Sequence, residues 1–487
     1  MLGLFNILNL GARALQAQET GMAVTGQNLS NVNNSAYSRQ RVQISTSIPT
    51  PTAVGLEGTG VQVTGIQQLR DSILDGEVRD ESSVGGYWTG QQSALQNAQA
   101  ELSQFLDLSA SGTDSTSSTT SSTSTSSLSD QLNSLFNAFQ SVATDPTSTA
   151  QRQALVSQAQ ILTSSLNQAS QSLTSLNGTL NTALDNDVTS ANQLLSDIAG
   201  LNGQIAKATA NGGSANDLND TREQDLEQLA NLTNIQTTAN TDGTVDVSVG
   251  GAQLVSGSQV LDTLQTYDPG TGQLLIRTAT SGTNLTLTGG TIQGTIDARD
   301  GALQTLRTGL DTLASNLITQ VNNIYSTGYD LNGNTGANFF TGTDAATIGV
   351  NAALQNDPTL VQAAGVAGAP APGNPGVSGA PGDNTVALAL AQLGQQPIAA
   401  LGNQTFSDSF ARDETAFGFS LSNANNQVTN YNSVNTMLLN QRDSVSGVSI
   451  EEEMSDMITY QYAYEASSKI ITTTDEMLQT LISLKST

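Results

Sequence analysis

Residues 450–484 read "IEEEMSDMITYQYAYEASSKIITTTDEMLQTLISL". Ile450, Met457, Tyr464, Ile471 and Leu478 hold one heptad position without a break, which predicts a helix carrying an apolar seam for a partner helix. Ser449 followed by Glu452 fits a capping box, and Glu451 to Glu453 place negative charge at the positive end of the helix dipole. At 1.5 Å per residue the helix is roughly 50 Å long. Each seam residue contributes about 1.5–3 kcal/mol when fully buried, and nothing until a partner arrives. Tyr460, Tyr462 and Tyr464 read as helix-packing residues rather than as a ligand platform.

The opposite end of the chain repeats the device. Leu8, Leu15, Met22 and Leu29 recur every seven residues, with Leu4 half a heptad earlier. Gly11, Gly21 and Gly26 weaken this helix by about 1 kcal/mol each relative to alanine, so alone it is marginal in water. Two seam-bearing helices at opposite ends fit pairing with each other and with neighbouring copies; the pattern does not apportion the two. The first charge is Arg13 and no basic region precedes the apolar run. The segment therefore reads as a helix kept on the mature protein, not a cleaved signal peptide.

Between the two ends, Val54–Leu69 alternates apolar residues between glycines, as a hairpin does. Helix is predicted over 71–108 and 128–232, the second broken by "ANGGSAND". The Ser/Thr run 109–127 reads as a solvated linker. "DGTVDVSVGGAQLVSG" (242–257) alternates strictly around Asp-Gly and Gly-Gly turns, and strands are predicted to about Ile296. Helix returns over 298–325, with Leu303, Leu306, Leu310, Leu313, Leu317 and Val321 at three-to-four spacing. Residues 364–383 are a Pro/Gly-rich loop, and helix resumes by Val386.

The fold class predicted is mainly α with a β insertion (α+β), in an elongated multi-domain chain whose terminal helices pair as a coiled coil. Its domains are discontinuous: 1–36 with 448–487 as a terminal assembly unit; 37–233, 296–330 and 384–447 as a helical stalk; 234–295 and 331–383 as an outer β-rich part with loops.

Composition narrows the function. A formal charge of -27 over 487 residues, with 15 Lys and Arg, argues against nucleic acid and anionic membrane surfaces. No apolar run reaches the 18 or so residues of a membrane span. Without a single Cys or His, the chain has no thiolate nucleophile, no Cys/His zinc site and no imidazole acid–base chemistry. A two-carboxylate glycan hydrolase survives elimination, but no acidic pair is marked by an aromatic sugar platform and Trp88 is the only tryptophan. "DLNGNTG" (330–336) starts like a calcium loop, yet Thr335 stands at its sixth position and Thr341 at its twelfth. It reads as a polar turn. No catalytic residue, metal ligand or cofactor is assigned.

"SNVNNSAYSRQ" (30–40) resembles the segment that closes the N-terminal helix in the FlgK family of flagellar hook-associated proteins, and its ending Tyr37–Gln40 separates that family from rod and hook proteins. The matching signature residues are Asn31, Asn33, Tyr37, Ser38, Arg39 and Gln40. Further similar segments follow in order, among them 136–167, 198–208, 215–232, 242–257, 297–340, 382–393 and the C-terminal helix; the Ser/Thr run and the Pro/Gly loop have no counterpart. The resemblance implies a structural axial protein of the bacterial flagellum at the hook–filament junction, not an enzyme. It would be exported unfolded through the type III apparatus with a chaperone and be extracellular. Its partners would be other copies of itself, hook protein and the second junction protein. A flagellin-like or second-junction-protein subunit is the alternative within the same class. Local reading adds that the asparagines end the first helix, since Asn tolerates the left-handed cap conformation. Arg39 and Arg41 are expected to make subunit contacts at the hinge behind it.

Overall fold

In the computed structural model, which describes residues 2–52, 55–106, 127–366 and 382–485, the longest element is a single 62-residue helix. This helix, α4 (Thr149–Ala210), is about 93 Å long at 1.5 Å per residue. Its length follows from an unbroken file of apolar residues at three-to-four spacing. Leu155, Leu162, Leu166, Leu173, Leu176 and Leu180 occupy the first half; Leu184, Val188, Leu195, Ile198 and Ile205 occupy the second. Ser148 caps its start by accepting from Gln151 N, and Lys207 lies in its last turn, where a cation is favoured.

The two halves of α4 border different cores. The first packs with α2 (Ser72–Leu102), α3 (Leu128–Thr144), α7 (Gln304–Tyr325), α9 (Thr385–Leu393) and α10 (Phe406–Ser446) around Phe139, Tyr325, Phe339, Phe406 and Phe417. The second packs with α5 (Asn216–Leu232), α6 (Gly290–Ala298) and a four-stranded antiparallel sheet of β5 (Ile235–Ala239), β6 (Val245–Val249), β7 (Ala252–Ser256) and β8 (Gln259–Val260). Gly250 and Gly251, at φ +55 and +88, form the β6–β7 turn, as Gly-Gly between alternating segments predicts. The pair β9 (Leu264–Tyr267) and β10 (Leu275–Thr278) completes the insertion. Asn202, fully buried, ties helix to sheet: its amide donates to Val245 O and Gly257 O and accepts from Val245 N and Arg222.

The mainly helical α+β class therefore stands, with differences in detail. Gly290–Ala298 is helix where strand was expected: Ile292 and Ile296, read as alternation with their neighbours, lie four residues apart on one buried face. A π-helical turn at Arg299–Leu303 joins it to α7, with Arg299 buried against Asp300, Asn181 and Leu274 O. Between 331 and 366 the only strands among the described residues are two-residue pairs, β11 (Phe340–Thr341) and β12 (Gly349–Val350). Ser127 caps α3 with Asp130 in a reciprocal box; the rest of the Ser/Thr run and most of the Pro/Gly loop lie outside the described residues.

Outside these two cores, α1 (Leu2–Ser30) runs antiparallel to α11 (Ile450–Lys485). The hairpin of β1 (Gln40–Thr46) and β4 (Val61–Gln68) lies alongside, its inner turn closed by β2 (Thr50–Thr52) and β3 (Gly55–Glu57).

Candidate assembly site

The helix pair is set by small residues on α1 and large ones on α11. A Cβ on Gly21 would stand 2.6 Å from the Tyr460 ring, and one on Gly11 would stand 2.7 Å from Ile471 Cγ1. These glycines are sockets, not merely weak points of the helix. Ala17, Val24, Thr25 and Asn28 are the other buried residues of this α1 face, and Glu453, Ser467 and Thr474 those of α11. The predicted seam residues Leu4, Leu8, Leu15, Met22 and Leu29 of α1, and Met457, Ile471 and Leu478 of α11, are half-buried beside this line. Ile450 and Tyr464 are exposed. On its outer face α11 exposes Met454, Ile458 and Tyr462, spaced four residues apart, with Tyr462 69% exposed. Apolar side chains remain uncovered along a helix that is already paired.

At the root of the pair, the stretch after α1 folds back into a polar hub. Asn28 uses its whole amide: Nδ2 donates to Gln40 O (2.9 Å) and Glu453 Oε2 (3.0 Å), while Oδ1 accepts from Gln40 N (3.0 Å) and the Tyr37 hydroxyl (2.8 Å). Glu453 is 1% exposed, and its charge is met by Arg39 Nε at 2.7 Å. A second Arg39 nitrogen reaches Glu452 at 2.5 Å, and Arg39 N donates to Ser446 O at the end of α10. Ser38 N donates to Asp220 on α5, and Gln40 Nε2 to Asp217. Next to these, Arg70 joins Asp75, Asp220 and Glu223, Arg79 also pairs with Glu223, and Arg442 pairs with Glu227. Four stretches distant in sequence thus meet here: 28–40, 70–79, 217–227 and 442–453.

The electrostatics follow from that crowding. Burial pushes the Tyr37 hydroxyl well above its ordinary value, and Asp217, Asp220 and Glu453 add to the shift. Burial also raises the Asp220 carboxyl, against the lowering influence of the Ser38 amide and Arg70. Burial alone would lower the Arg39 guanidinium; Glu452 and Glu453 outweigh it and hold the charge.

Several local expectations need revising here. The asparagines after α1 do not use the left-handed region, since Asn403 is the only non-glycine with positive φ among the described residues. Their side chains do the work of the turn instead: Asn31 donates to Gln27 O, and Asn34 accepts from Ala36 N. Asn33 is exposed. Ser449 accepts from Glu452 N at 3.5 Å, but the Glu452 carboxylate is turned to Arg39. Arg39 is engaged within its own chain, while Arg41 is exposed on β1. The Asp330 turn is held by Asn332 N, Asn334 N and Asn334 Nδ2, all on the Asp330 carboxylate. Sequence reading missed Asn28, Asp217, Asp220 and Glu453 as hub members. Only the polar character of Asn28 on a mostly apolar helix face could have pointed to any of them.

A long helical chain whose two ends meet, and whose end pair keeps apolar residues uncovered, is built as a subunit that docks to others. Known proteins agree with this class. A family model described as "Flagellar hook-associated protein FlgK helical domain" matches residues 113–340, and one described as "Flagellar basal body rod FlgEFG protein C-terminal" matches 440–484. Flagellar hook-associated protein 1 of Bacillus subtilis (strain 168) is 26% identical over 523 residues, covering 99% of this chain and 98% of that protein. The protein of the same name from Salmonella typhimurium is 23% identical over 572 residues, covering 99% and 100%. The fold is shared with the flagellar hook junction protein FlgK of Burkholderia pseudomallei, at TM-score 0.60 and 18% identity, over 76% of this chain and 100% of that one. Along nearly its whole length the chain is thus similar to flagellar hook-associated proteins of the FlgK type.

Proposed function

We propose that this protein is a structural subunit of the bacterial flagellum that forms the junction between hook and filament. The observation that carries this reading is the α1–α11 pair, which is seated on the body at the hub and still exposes Met454, Ile458, Tyr462, Ile470 and Met477. Those residues lie in the segment matched by the rod-protein family model. A segment shared among axial proteins is the natural place for contacts between like helices.

The mechanism is coupled folding and assembly. The seam residues Leu4, Leu8, Leu15, Met22, Leu29, Ile450, Met457, Tyr464, Ile471 and Leu478 complete their burial against neighbouring copies in a ring, with hook protein on one side and the second junction protein on the other. Each exposed apolar side chain that becomes fully covered adds about 1.5–3 kcal/mol. Before assembly an export chaperone covers the C-terminal seam, and the chain leaves through the type III apparatus to the cell exterior. The helical stalk and the β-rich part, divided as the sequence suggests, form the body on which the pair is seated. Their role is structural rather than enzymatic.

The test is a pair of outward charges on α11, Ile458→Glu and Tyr462→Glu. Both variants should keep the melting temperature of the body and fail to restore filament growth in a strain lacking the protein. Normal growth with either variant would overturn the reading.

A further inference from the structure

The two halves of the terminal pair are held by different forces. Near the body, Glu453 bridges Asn28 (3.0 Å) and Arg39 (2.7 Å), and the Tyr460 ring fills the hollow at Gly21. The same loop is fastened to α10 through Arg39 N to Ser446 O (2.8 Å) and to α5 through Ser38 N to Asp220 (3.1 Å). Away from the body, Ile471 meets Gly11; Phe5, Ile7, Met477, Leu481 and Ile482 are between 43% and 68% exposed, and Ile450, Met454 and Ile458 of the proximal half between 44% and 53%, so it is the polar hub that distinguishes the two halves.

We propose that the hub is a clasp. It keeps the proximal half of the pair, α1 from Gly21 to Ser30 against α11 from Ile450 to Tyr460, closed on the body in the free chain. The distal half is left to order against neighbouring copies. Three of the four Asn28 bonds go to Tyr37 and the Gln40 backbone, so its amide is fixed before α11 docks and presents Nδ2 ready-made. Arg39 is likewise anchored by its own backbone at Ser446. Glu453 is therefore the positioning residue. Seating it pairs its carboxylate with Arg39 and satisfies Asn28 in one step, whereas removing one partner of a buried ion pair is strongly destabilising. Seeding only the proximal half leaves the distal apolar residues free for a second copy. That last point rests on the proposed function; the clasp itself does not, because all its contacts lie within one chain.

Hydrogen exchange on the full-length free chain tests it, comparing wild type with Glu453→Gln, Arg39→Lys and Ile471→Ala. In the wild type, residues 21–30 and 450–460 should exchange at least about tenfold more slowly than residues 3–11 and 474–484. Glu453→Gln should erase most of that difference and also expose the amides of 37–40, while α3 and α7 stay protected. Ile471→Ala should accelerate only the distal half. Arg39→Lys replaces a fork that reaches two carboxylates by a single point charge, and should act as Glu453→Gln does even if that variant fails to fold. Equal exchange along the whole pair, protected or not, would overturn the proposal. So would unchanged proximal exchange in both hub variants.

Discussion

Gly21 shows how a single position changes meaning between sequence and structure. In a helix read alone, Gly21→Ala should stabilise by about 1 kcal/mol. Here the added Cβ would press into the Tyr460 ring at 2.6 Å, and overpacking of this kind destabilises by about 1–3 kcal/mol. The substitution is therefore expected to loosen the proximal pair, read as faster exchange at 21–30 despite the better helix former. Gly86 is tighter still, because a Cβ there would lie 2.0 Å from the backbone oxygen of Asn231 and backbone cannot swing aside. Gly86→Ala should cost the body about 1–3 kcal/mol of stability, read as a lower denaturant midpoint. Neither effect was legible in the sequence, since nothing in a heptad pattern tells which residue stands opposite a glycine. Glu453 was hidden for the same reason. It reads as a dipole-favouring first-turn acid, and only the fold brings Arg39 and Asn28 to it.

Among the elements, the β insertion was the most legible, because Asp-Gly and Gly-Gly turns between alternating segments specify a hairpin through backbone sign alone. Its turns also carry a pH response. The amides of Gly270, Gly272 and Thr271 donate to Asp268 and hold its carboxyl below the ordinary range. Asp242 is lowered in the same way by the hydroxyl and amide of Thr244. A depressed carboxyl stabilises the fold above its ordinary value of about 4 and loses that contribution as pH falls through the depressed value. Acidification below about pH 4 should thus loosen the β9–β10 and β5–β6 turns, measured as falling protection relative to the intrinsic amide exchange rate at 240–244 and 268–272, and Asp268→Asn should remove the pH dependence of protection at its own turn. Helix α6 was illegible because two isoleucines four apart, flanked by threonine and glycine, satisfy the alternation of a strand as well as the period of a helix.

For the molecule as a whole, the two cores along α4 and the end pair divide the stability. No residue of α1 or α11 belongs to the core clusters that surround α4. Removing residues 450–487 should leave a folded, soluble body with the cores around Phe139 and Val247 intact, seen as an unchanged cooperative melt, while α1 loses its partner. The chain should then fail to join the hook. The meeting of both chain ends was legible because each carries a seven-residue apolar period and neither seam finds a mate within its own helix. Their register was not, since it is set by Gly21 under Tyr460 and Gly11 under Ile471. The central claim, that this subunit occupies the boundary between hook and filament, is tested most directly by labelling purified hook–filament preparations with an antibody to the body. A single band of label at the hook–filament boundary is predicted; label distributed along the filament, or none on the structure, would contradict it.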